Sequence, residues 1–156
     1  MQKKIMLLFT LLAGIVFLCY GTNIYAGTKV NDIIEMNNKA YPKHKKSIVK
    51  FTHKKHAQDY KIGCGECHHD ENNKPLNNLK EGDDVKSCIE CHSKPALIKG
   101  KKAKGLNAKQ KREYHANAIH DNCKACHKKF NKKKGLKSKD KGAAPTTCKA
   151  CHPKKK

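Results

Sequence analysis

Cys64-Gly-Glu-Cys67-His68, Cys88-Ile-Glu-Cys91-His92, Cys123-Lys-Ala-Cys126-His127 and Cys148-Lys-Ala-Cys151-His152 repeat one pattern, Cys-x-x-Cys-His. The chain holds nine cysteines, and each one after Cys19 sits in a copy of the pattern. Taken singly, such a motif also suits zinc ligation, a redox dithiol or a disulfide. Four copies, all ending in His and leaving no unmatched cysteine, point instead to covalent haem attachment. Two thiols add across the vinyl groups, and the next residue takes one axial position on iron.

The rest of the composition fits a domain built around such groups. Beyond Ala26 there are 33 Lys and Arg against 13 Asp and Glu, a net charge of +20, with no Trp and few large apolar side chains. Low hydropathy with high charge is the usual signature of disorder. Here four large apolar macrocycles replace the aliphatic core that the residues do not supply. The expected fold is a small, mostly irregular and α, haem-cored domain with a few short helices and a small N-terminal hairpin before Phe51. Asn107 reads as the cap of a helix from Ala108 to about Ile119. Gly100 to Gly105 and Asn131 to Gly142 read as solvated loops.

The amino terminus reads as an export signal. Lys3 and Lys4 precede an apolar run from Ile5 to about Leu18, followed by Gly21, Thr22 and Asn23. The expected organisation is a signal peptide at residues 1–26 and a tetrahaem domain at 27–156. An uncleaved anchor is the alternative, against which stands the shortness of the run. Lipid attachment at Cys19 is disfavoured by the bulky Leu18 before it.

Axial ligation decides between carrier and catalyst. A His/Met pair raises the potential, His/His leaves it low, and an open position admits a small ligand. Beyond Ala26 Met36 is the only methionine, so at most one iron has a Met ligand. Besides the proximal His68, His92, His127 and His152, there are six histidines for four positions: His44, His53, His56, His69, His115 and His120. His53 and His56, three apart, lie on one side of a helical turn, where each could ligate a different haem. His69 follows His68 directly, so it cannot reach the same iron. His44 and His115 are the spares. A multihaem reductase would need a five-coordinate haem, and the count shows no shortage of ligands.

Phe51-Thr-His-Lys-Lys-His56, Cys64-Gly-Glu-Cys67-His68-His69-Asp70, and Tyr114 with Ile119-His120-Asp121 ahead of the third motif resemble the class III tetrahaem cytochromes, the cytochrome c3 family. The likeness runs from about Val49 to His152. It implies axial pairs His53 with His68, His69 with His92, His56 with His127 and His120 with His152. The resemblance also implies thioethers from Cys64, Cys67, Cys88, Cys91, Cys123, Cys126, Cys148 and Cys151, hence four haem c groups. Shorter triheme relatives lack the second haem; this chain keeps both His69 and the Cys88 to His92 motif. All four motifs are the short form, where some members widen the second and fourth, and Asn131 to Thr147 is longer than in the triheme relatives. The implied protein is a periplasmic, low-potential electron carrier rather than an enzyme. Its implied partners are hydrogenase and membrane-bound cytochrome complexes of anaerobic respiration, sulfate respiration included.

Charge is unevenly spread. Cys123 to Lys156 carries +12, whereas Cys64 to Gly100 carries −2. An acidic redox protein docking near the Lys-rich fourth haem is the expected partner. Nucleic acid is not, since the chain reads as exported and has few aromatic side chains for stacking. With every iron filled by two histidines, no small-molecule substrate binds metal.

Overall fold

The computed structural model describes residues 30–154. The expected signal peptide, residues 1–26, lies outside them. Two strands, β1 (Ile34–Glu35) and β2 (Lys50–Phe51), form an antiparallel pair with Ile34 opposite Phe51. A long loop, not a tight turn, joins them. The helices are α1 (Cys88–Cys91), α2 (Ala108–Arg112), α3 (His115–Lys133) and α4 (Cys148–Cys151). A π-helical turn at Lys55–Asp59 and 3₁₀ turns at Cys64–Glu66 and Gly100–Ala103 complete the regular structure among the described residues. This is the small domain of few helices and a short two-stranded sheet that the sequence implied.

Packing among the side chains themselves is thin. Ala118 is the one buried apolar residue among the described residues, and the other two buried residues, His115 and Asn131, are polar. No helix among the described residues is long and apolar enough to cross a membrane. Protein atoms therefore do not make up a conventional core, and hydrogen bonds from loops to helices carry much of the order.

The helix expected from Ala108 to about Ile119 begins where its cap predicted. Asn107 accepts from the Gln110 amide at 2.9 Å, and Gln110 returns the bond to the Asn107 amide at 2.9 Å, a reciprocal capping box. It then breaks at Tyr114, whose φ of −82° and ψ of 114° are extended. The cause is non-local. Segment 94–96 runs alongside residues 113–116: the Lys94 amide donates to Glu113, that of His115 to Lys94 at 2.9 Å, and that of Ala116 to Ala96. Tyr114 is thereby drawn into a bridge with Lys94.

After the break α3 runs on through the whole third motif to Lys133. Its end is a Schellman turn: Gly135 has φ +66°, its amide donates to Lys132, and the Leu136 amide donates to Asn131 at 2.8 Å. Asn131, expected in a solvated loop, is thus the third residue from the helix end and 5% exposed.

Asn117 on α3 binds the loop after the second motif at two points, accepting from the Ile98 amide at 2.8 Å and donating to its carbonyl at 3.0 Å. Asn117→Ala would leave both backbone groups without protein partners. The expected cost is about 1–3 kcal/mol, read as a lower midpoint in guanidinium unfolding.

Candidate functional site

The histidines are arranged in twos. Four His–His ring pairs stand among the described residues: His53 and His68 at 6.5 Å between centroids, His56 and His127 at 6.2 Å, His69 and His92 at 5.9 Å, His120 and His152 at 6.2 Å. Imidazole nitrogens bind metals at about 2.0–2.1 Å and lie about 1.1–1.2 Å from the ring centre. Two rings on opposite sides of one metal therefore have centroids roughly 6.2–6.6 Å apart. All four pairs lie near that spacing. Each joins a histidine that ends a Cys-x-x-Cys-His motif to one that does not.

Each member is placed by a different local device. Residues 52–60 turn through the π-helical segment, the kind of widened turn often found at functional sites. Phe51, ending β2, has its ring 5.9 Å from His53 and 4.7 Å from His56, so it is held against both. His69 follows His68, and alternation along the chain directs the two side chains to different partners. His120 and Cys123 are three apart on α3, one turn along the same side. At the first motif Gly65 sits closely against its neighbours: a Cβ there would displace the Asn77 side chain and lie 3.1 Å from Pro75 Cβ.

Hydrogen bonds fix the tautomer of five of these rings. Nδ1 lies 2.8 Å from the Thr52 carbonyl in His56, 2.7 Å from Asp70 in His69 and 2.6 Å from Arg112 in His92. It lies 2.7 Å from the Pro145 carbonyl in His127 and 2.7 Å from the Ser47 carbonyl in His152. A carbonyl oxygen only accepts, so Nδ1 carries the proton and Nε2 keeps its lone pair. That is the state a metal ligand needs, and it is how outer groups orient ligating imidazoles. Burial, and then the nearness of His53 and His69, lowers the His68 pKa. Burial, followed by His152 and Lys124 and opposed by Asp121, lowers that of His120. Both shifts favour neutral imidazole, the ligating form.

The cysteines line the same region. As a free thiol Cys123 is pushed up to about 11, first by partial burial and then by the charges of Cys67, Cys151 and Cys88 from three other motifs. Burial likewise raises Cys67 and Cys88. Among the described residues no three His, Cys, Asp or Glu side chains converge on a point where a metal ion would sit. Paired imidazoles flanked by Cys-x-x-Cys fit haem, whose porphyrin supplies the remaining four donors.

The two spare histidines belong to a separate cluster. Tyr41 Oη lies 2.9 Å from His115 Nδ1, and its ring stacks on His44 at 5.2 Å. His115 is 7% exposed, and burial, with His92 nearby, lowers its pKa. Tyr41 carried no motif, so sequence reading missed it. The backbone acceptors at Thr52, Asp70, Arg112, Pro145 and Ser47 were equally invisible, because a carbonyl leaves no mark on residue type.

A model of the class III cytochrome c family matches residues 30–152, which takes in all four motifs and all eight paired histidines. Comparison with curated proteins finds no match.

Proposed function

The chain belongs to the class III cytochrome c family, whose members are multihaem electron carriers with covalently attached haem c, and from that premise we propose that it is a four-haem, bis-His carrier of low potential. The observation that carries this reading is the set of four His–His ring pairs, 5.9–6.5 Å apart, each built on one Cys-x-x-Cys-His motif. His53 pairs with His68, His69 with His92, His56 with His127 and His120 with His152. These are the axial pairs, and the eight motif cysteines form the thioethers.

A haem so held supplies a reversible one-electron couple. The chain's own residues do the rest. Two imidazoles per iron exclude substrate from the metal, which limits the chemistry to outer-sphere electron transfer. Nδ1–H donation to backbone carbonyls makes five of the imidazoles stronger donors, favouring ferric iron and a low potential. Neighbouring ligands link the sites: His68 and His69 tie the first to the second, His53 and His56 the first to the third, and His120 and Cys123 the third to the fourth.

The apolar run after Lys3 and Lys4 supports export to the periplasm, the compartment this chemistry suits. The exposed lysines after Cys123 support docking to an acidic redox partner, hydrogenase or a membrane-bound cytochrome complex.

The mature protein is expected to carry four haems that resist acid-acetone extraction, with an intact mass to match and a sharp low-spin visible spectrum. A mass fitting three haems or none would refute the count. High-spin features would refute bis-His ligation and revive a reductase.

A further inference from the structure

Asn131 stands where a lysine-rich helix end gives no reason to bury an amide, yet it is 5% exposed. Both ends of its side chain are used on one residue of the following loop. Oδ1 accepts from the Ala144 amide at 2.7 Å, and Nδ2 donates to the Ala144 carbonyl at 2.9 Å. Its own carbonyl accepts from Leu136 at 2.8 Å, so the helix end, the Gly135 turn and the returning loop meet at this residue.

The next residue is Pro145, whose carbonyl lies 2.7 Å from His127 Nδ1. Proline has no amide hydrogen, so this stretch cannot anchor itself there. Ala144 is the nearest backbone residue through which it is held, and Asn131 holds it. Asn131 is one helical turn from His127 on α3, so ligand and clamp ride on one rigid element.

We propose that Asn131 is a positioning residue for the third haem: through Ala144 it keeps the Pro145 carbonyl on His127 Nδ1, and so sets the ring's orientation and donor strength. The proposal rests on His127 being an axial ligand. Loss of the clamp weakens Nδ1–H donation, makes the imidazole a poorer donor to ferric iron and raises the potential of that haem.

The test uses the full haem-loaded protein. Asn131→Ala is expected to shift the ferric-to-ferrous ratio of one haem about tenfold at fixed applied potential, the low end of what outer-shell partners of metal ligands command. That is about 59 mV for one electron. Asn131→Ser, whose neutral hydroxyl serves one end of Ala144 at a time, is expected to move it less. Asn117→Ala, the matching clamp on Ile98, is the control: it lowers the unfolding midpoint and leaves that potential in place. By nitrogen-15 NMR, the His127 ring N–H of the unmodified protein exchanges slowly with solvent, and in Asn131→Ala it exchanges fast.

A fall in the Asn131→Ala unfolding midpoint with all four potentials unchanged would overturn the proposal, as would the same shift from Asn117→Ala. If Asn131→Ala does not fold, Asn131→Ser and the exchange rate in the unmodified protein decide, and rapid exchange there is fatal. A missing haem or a high-spin spectrum in the unmodified protein would instead show that the bis-His reading had failed.

Discussion

Replacing His120 with Met is expected to raise the potential of one haem by on the order of 0.1 V or more, a fraction of the roughly 0.8 V that axial ligands command. The sign follows from the donor: a thioether is softer than imidazole and favours ferrous iron. His120 is the suitable position because its ring is 6.2 Å from that of His152, and because it lies inside the 19-residue α3, which a Met tolerates well. Spectroelectrochemical titration reads the result as one step displaced from the other three. His44→Ala should leave every potential nearly unchanged, since that ring stacks on Tyr41 and its buried Nε2 has no hydrogen-bond partner among the described residues. If His115→Met gives the large step and His120→Met does not, the pairing at the fourth site is wrong.

The site was more legible than the fold, for a physical reason. Thioether and axial chemistry demand fixed residue types at fixed spacing, so four Cys-x-x-Cys-His motifs announce themselves whatever surrounds them. The family resemblance then named the partner histidines, and each of those four pairings joins two rings whose centroids are 5.9–6.5 Å apart. Helix boundaries obey weaker and less local rules. Asn107 marked the start of α2 because a capping box is written in adjacent residues. Nothing near Tyr114 marks the break before α3, which is caused by pairing with residues 94–96, some twenty positions earlier.

The continuation of α3 to Lys133 was hidden differently. Its mid-part reads Cys, Lys, Ala, Cys, His, Lys, Lys, with no aliphatic stripe for a helical period to show. Gly135 was the available signal, a helix-ending glycine just past the last helical residue. Asn131 among lysines reads as loop by composition, and only the returning chain at Ala144 reveals it as a clamp.

Reversing five lysines that follow the third motif is expected to slow reduction by an acidic partner such as hydrogenase by an order of magnitude or more, within the roughly 10 to 1,000-fold range of electrostatic steering. The set is Lys132→Glu, Lys133→Glu, Lys134→Glu, Lys154→Glu and Lys155→Glu. It acts on a segment, Cys123 to Lys156, that carries +12 and whose described lysines are all exposed. The acidic residue in this segment, Asp140, accepts from the Lys137 amide at 2.7 Å and so is turned to its own loop. In contrast, Lys86 and Lys94 already face Glu71 at 3.5 Å and Glu113 at 2.5 Å. Changing Lys74, Lys80, Lys86, Lys94 and Lys99 to Glu should therefore slow the reaction much less. Lys132 and Lys133 also lie in the last turn of α3, where cations oppose the helix dipole, so their reversal costs roughly 0.3–1 kcal/mol each. That loss lowers the unfolding midpoint without setting an encounter rate, and salt separates the two. Fields from exposed charges are screened beyond about 8–10 Å at 0.1–0.15 M salt. The second-order rate for the unmodified protein should thus fall steeply as salt rises, and that for the reversed set should not. Equal slowing by the two sets would mean that net charge alone governs approach and that the fourth haem is not the preferred port.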